Sequence, residues 1–212
     1  GDQKEQLDIL IDALVTCPPN SPTRYVDNGD GTICDHKTGL MWEKKDRGDG
    51  VEDYSNVHDA DNVYTWTSDA DADLTNPDGT AFTYVIDLLN GVATTQFHGW
   101  SNESEQLGGY RDWRVPTIAE LQSVFIEKPS SECTDWEHGA MDPVFEPYNS
   151  SDVYWSSTTF RDYPRLRDTS AYTLLFGCGA DNQGSGITKT QSQAVRAVRG
   201  GRWLPQPTTF YP

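Results

Sequence analysis

The sequence predicts an α+β domain, rich in loops and packed around aromatic rings, with a short arm ahead of it. Seven Trp, ten Tyr and seven Phe stand against few aliphatic residues. Glycine (18) and proline (12) punctuate the chain throughout, a composition that suits irregular connections better than a helical bundle. Two stretches of helical spacing lie among short β-type runs. A chain of 212 residues is long enough to bury such a core in one unit. The expected organisation is an N-terminal helical arm and linker over 1–22, the domain over 23–201, and an extended Pro-rich tail over 202–212.

In the arm, Leu7, Ile9, Leu10, Leu14 and Val15 recur near helical spacing, and Pro18, Pro19 and Pro22 end the pattern. Tyr25 and Val26 precede the turn dipeptides Asn28-Gly29 and Asp30-Gly31, and Thr38-Gly39 leads into Leu40-Met41-Trp42. These are hairpin signals. Residues 43–80 are acidic and poor in aliphatics, so a long irregular excursion is expected there, pinned by Trp66. Phe82, Val85, Ile86 and Leu89 predict a first domain helix over 80–90, stopped by Gly91. Thr117, with Glu120 three residues on, forms a capping box for a second helix over 117–126. Strands are expected at Val153-Tyr154-Trp155, over 172–176, and as one run over 193–200. In that last run Arg196 and Arg199 would face opposite sides, one as a buried ion pair and the other exposed.

The formal charge of −17 excludes nucleic acid and anionic lipid as general partners, since both are polyanions. No apolar run reaches the length of a membrane span. No signal peptide is visible ahead of Gly1, and a removed leader or lipid anchor is the expectation. Cys17, Cys34, Cys133 and Cys178 form no CxxC pair. Three pairings are open, and Cys17–Cys34 with Cys133–Cys178 is the favoured one. Two disulfides imply an extracellular, periplasmic or outer-surface location.

Four segments in order carry a family resemblance: Arg24 to Trp42 (RYVDNGDGTICDHKTGLMW), Gly109 to Leu121 (GYRDWRVPTIAEL), Tyr154 to Ser157 (YWSS) and Val195 to Gly201 (VRAVRGG). Together they resemble the Lcl C-terminal domain family, named for the end domain of a bacterial collagen-like adhesin. That family in turn is similar to the formylglycine-generating-enzyme branch of C-type-lectin-like folds. The resemblance implies two helices with small twisted antiparallel sheets and long irregular loops. It also implies surface association and, in some members, trimeric assembly for attachment. Within the second segment, Trp113 is expected in the core, with Arg114 reaching a carbonyl or an acid.

A fold does not import an activity. The related enzymes use cysteines and copper, whereas here all four Cys are more simply read as disulfides. No free low-pKa thiol setting is visible, and no G-x-S-x-G motif occurs. His36, His58, His98 and His138 are scattered and read as surface residues. The expectation is therefore no enzyme, but a binding or adhesion module. A fibre-capping or oligomerisation domain is the alternative, and a formylglycine-type oxidoreductase a further one that needs a free thiol.

Calcium is the one cofactor the sequence suggests. Asp27, Asn28 and Asp30 only mimic a calcium loop, because position twelve is Thr38 and not Glu. Asp69, Asp71 and Asp73, with Asp78, form the better candidate set, against the plain reading of a solvated acidic run. Glu146-Pro147-Tyr148 matches a calcium-lectin triplet only in part. For ligands, residues 148–192 offer rigid aromatics among small polar residues, the palette of adaptable binding loops. The expected contacts are Tyr148, Asn149, Arg161, Tyr163, Arg165 and Arg167, and the expected partner is a glycan or protein at a cell surface. The arginines within this acidic chain suit a carboxylate, a sulfate or a neighbouring acidic subunit.

Overall fold

The computed structural model describes residues 17–18, 21–68, 74–92, 97–99, 105–126, 141–148, 153–161, 168–177 and 183–201. The expected arm helix, the tail and the Cys133–Cys178 pairing lie outside the described residues.

Two small sheets organise the domain. The first holds β1 (Tyr25–Asp27), β2 (Thr32–Asp35), β3 (Leu40–Glu43) and β9 (Val198–Gly200), in the order β1-β2-β3-β9. The second holds β4 (Val63–Thr65), β5 (Val153–Thr159), β6 (Ser170–Leu175), β7 (Ser185–Thr188) and β8 (Ser192–Ala194), in the order β4-β8-β5-β6-β7. Both expected hairpins of the first sheet form. Gly29, Gly31 and Gly39 take positive φ at their turns, which glycine does at no steric cost. The carboxylates of Asp27 and Asp30 accept the N–H groups of Gly29 and Thr32, so these acids shape the turn. The sheets are the small antiparallel ones expected of this α+β class, with one parallel pairing, β5 with β8, in the second.

Period-two alternation sends neighbouring side chains to opposite faces. In the first sheet, Cys34 and Met41 enter one apolar cluster, while Ile33, Leu40, Trp42 and Val198 enter another. In the second sheet, Tyr64, Trp155 and Ala171 join the first cluster, and Tyr154, Leu174 and Ala194 join the second. Each cluster therefore draws side chains from both sheets. Three buried indole N–H groups find carbonyls: Trp155 donates to Tyr64, Trp66 to Ser156 and Trp113 to Leu107.

The first helix, α1, begins as a π-helical segment, Ala81–Ile86, and continues as an α-helical turn, Asp87–Leu89. Its buried residues are Ala81, Tyr84, Val85, Leu88 and Leu89, while Phe82 and Ile86 are only partly buried. The expected stripe is thus displaced, because wider π winding changes which positions meet the core. The second helix, α2 (Ile118–Val124), keeps the predicted capping box. Thr117 accepts from the Glu120 amide, and the Glu120 carboxylate accepts from the Thr117 amide at 2.8 Å. Arg114 adds a two-pronged bond to the same carboxylate, at 2.7 and 2.6 Å.

The run over 193–200 is not one strand. β8 and β9 lie in different sheets, and Val195, Arg196 and Ala197 cross between them, all buried. Both arginines are buried as well. Arg199 pairs with Asp112 at 2.6 Å and stacks over Tyr110, whereas Arg196 bonds the carbonyls of Glu43, Phe145 and Pro147. The expected exposed member does not exist, because the crossover carries Arg196 inward.

Cys17 and Cys34 are bonded, as favoured, and both are buried. They lie 17 residues apart. By loop closure the bond contributes about 3 kcal/mol. Replacing both cysteines with Ala should lower the urea-unfolding free energy by about that amount. An unchanged midpoint would show that the bond adds nothing to the fold.

Candidate ligand-binding face and the buried polar frame

The polar frame starts at Glu43, the last residue of β3. Its side chain is fully buried beside the crossover. Oε1 accepts from Lys45 Nζ and His58 Nδ1, each at 2.8 Å, and Oε2 accepts from the Ala197 amide at 2.9 Å. The backbone of Glu43 exchanges further bonds with Ala197 and Arg196. Burial alone would raise the Glu43 carboxyl, but Lys45, His58 and the Ala197 amide outweigh it and bring the group down to about 2. Burial pulls the Lys45 ammonium down against the pull of Glu43.

His58 is not a surface residue. Its side chain is 12% exposed, and Nε2 bonds both carboxylate oxygens of Glu105 at 2.9 Å. Burial opposes its charge, yet the bonds to Glu105 and Glu43 raise it to about 9. An imidazolium therefore ties the 44–62 loop to β3 and to residue 105. In that loop, side-chain oxygens of Asp49, Asp53, Asn56 and Asp59 each accept the N–H two residues on. Arg47 sits among Asp49, Asp53 and Asp59. The acids of the expected irregular excursion thus build turns around a guanidinium. Of the other histidines, His36 bonds the Pro18 carbonyl and His98 stacks on Tyr54, while His138 lies outside the described residues.

Of the predicted ligand contacts, Asn149, Tyr163, Arg165 and Arg167 lie outside the described residues, as do Asp69, Asp71 and Asp73 of the calcium set. Three predicted positions are described. Arg161 is 72% exposed and faces Asp168 at 3.7 Å, a surface pairing of little energetic weight. Tyr148 is half-buried against the second apolar cluster. Asp78 accepts from Thr67 Oγ1, the Ser68 amide and Ser68 Oγ, and the Ser68 amide holds its carboxyl below the ordinary range. Among the described residues no group of three or more His, Cys, Asp or Glu has metal-holding geometry.

The structure joins two predicted segments that lie far apart in sequence. Lys189 is buried, with Nζ 4.0 Å above the Trp66 ring. Its Nζ donates to the carbonyls of Leu74, at 2.9 Å, and Asp168, at 2.8 Å. Leu74 directly follows the acidic run 69–73, and Asp168 directly follows the run that holds Arg161, Arg165 and Arg167. The Lys189 carbonyl also accepts from Trp66 and Thr67, and its amide donates to Thr169. At the base of the acidic run, Ser68 meets Asp78, and at the base of the basic run, Phe160 meets Ser170. The residues that follow the two segments, Leu74 and Asp168, are therefore held by one buried ammonium. The sequence reading missed Lys189, although it is the one charged residue in the run 182–193.

This architecture is that of a loop-bearing α+β module whose sheets hold a polar frame. The family model for the Lcl C-terminal domain matches residues 31–199, and the chain belongs to that family. A search of curated proteins gives no match. Among the described residues no helix is long and apolar enough to cross a membrane.

The His58 clamp sets a pH dependence. Because the folded-state value lies above the ordinary 6.5, its contribution is fully present below about 6.5 and is lost as pH rises through about 9. Chemical denaturation of the wild type and His58→Gln between pH 6 and 10 should show a gap of at most about 3 kcal/mol that closes over that window. A gap independent of pH would remove the imidazolium from the account.

Proposed function

We propose that this chain is an extracellular, non-enzymatic binding or adhesion module that meets its ligand with the loops of residues 148–192. The observation that carries the reading is the shared footing on Lys189. It brings the base of the arginine-bearing segment together with the base of the acidic run. Arg161, at the start of the basic segment, is strongly exposed. Arginine clusters recognise carboxylate, sulfate and phosphate groups by charge-assisted, two-pronged bonds. Rigid aromatics beside small polar residues complete such a surface at low entropic cost. Family membership supports a surface setting, and the buried Cys17–Cys34 bond supports an oxidising one.

The reading uses no cofactor and no catalytic residue. The cationic side chains on this face would bind an anionic glycan or an acidic protein surface, and the chain's overall acidity would limit indiscriminate adsorption. Retention on immobilised dextran sulfate, with plain dextran as the blank, tests it directly. Wild type should be retained at low salt and released as salt screens the contact. Replacing Arg161, Arg165 and Arg167 together with Ala should abolish retention without changing the far-UV spectrum. A triple variant retained as well as the wild type would contradict the assignment.

A further inference from the structure

Lys189 binds two carbonyls whose residues share an uncommon conformation. Leu74 has φ of 51° and Asp168 has φ of 69°. Neither is glycine, and L-residues with a side chain are disfavoured in that region. Such conformations persist where surrounding bonds over-determine them, and they concentrate where a protein must aim a segment. Here the over-determining group is the same ammonium in both cases. It is itself immobilised by burial, by the Trp66 ring and by backbone bonds on either side. A lysine would ordinarily keep its head in water, so this burial carries a desolvation cost that two carbonyls and a π face must offset.

We infer that Lys189 is a positioning residue: its ammonium holds Leu74 and Asp168 in left-handed backbone and thereby fixes, from one point, how the acidic and basic segments leave the domain. This deepens the proposed function, since it rests on the basic segment meeting the ligand. The holding itself is a property of the fold and can be measured without any ligand. The charge is not what matters at the surface, for Lys189 is buried. What matters is that one ammonium serves two roots, so that its loss releases both.

The test compares Lys189→Met, which keeps an unbranched stem beside Trp66 but has no donor, with the same change carrying Leu74→Gly and Asp168→Gly. Glycine accepts positive φ freely, so it removes the need for the holding bonds without restoring the aim. Hydrogen exchange in Lys189→Met should rise by about tenfold or more in peptides covering 74–78 and 168–172 together, with α1 unchanged. The added glycines should recover most of the lost melting temperature in the Lys189→Met background and little in the wild type. Exchange that rises at one root alone, at neither, or evenly across the domain would overturn the inference, as would glycines that give no recovery.

Retention on dextran sulfate separates positioning from mere stability. The triple variant should regain its melting temperature and still fail to be retained. If retention returns with the melting temperature, Lys189 acts only through stability and the inference falls. Should the wild type itself not be retained, the binding reading fails by that result, and the exchange and melting measurements still decide the role of Lys189.

Discussion

A carboxylate buried at the junction of two sheets holds this domain together. Glu43 ends β3 of the first sheet and bonds, through side chain and backbone, to the crossover that leads from β8 of the second sheet to β9 of the first. A buried charge is stable only with its full set of partners. Lys45, His58 and the Ala197 amide supply that set. Each partner belongs to a segment that has little regular structure to fix it, so the same bonds that satisfy Glu43 also place the 44–62 loop and the crossover. Arg196 extends the arrangement to the carbonyls of Phe145 and Pro147. Specification by buried polar groups suits a chain with few aliphatic residues, whose small sheets could otherwise shift against each other.

Lys189 solves the same problem at another place with the opposite charge. A single ammonium satisfies the carbonyls of Leu74 and Asp168, which directly follow the acidic and the basic run. The two devices differ in what they serve. The Glu43 group locks sheet to sheet, and its removal should be felt throughout the domain. The Lys189 group locks loop to body, and its effect should be confined to one face. That division separates a fixed frame from loops, the arrangement that the proposed binding function would use.

What the sequence made legible was local. The turns at Asp30-Gly31 and Thr38-Gly39, the Thr117–Glu120 box, buried Trp113 and the stop at Gly91 all depend on residues within a few positions of each other. The acid that Arg114 reaches lies only six residues on. The missed features are long-range. Glu43 meets His58 across 15 residues and Ala197 across 154, and Lys189 meets Leu74 across 115. Nothing in the spacing of a lone histidine or lysine announces such partners. The 193–200 run misled for a related reason, since alternation within a short segment does not reveal that its two halves join different sheets. For the proposed binding face, the residue palette suggested the segment, but only the fold showed where its base stands.

The claim that a rigid frame presents one charged, loop-borne face is tested most directly by mapping hydrogen exchange of the native chain with and without dextran sulfate. The account predicts added protection confined to 160–170 and 74–78, with the strands around Glu43 unchanged. Protection centred on the 44–62 loop, or none anywhere, would contradict it.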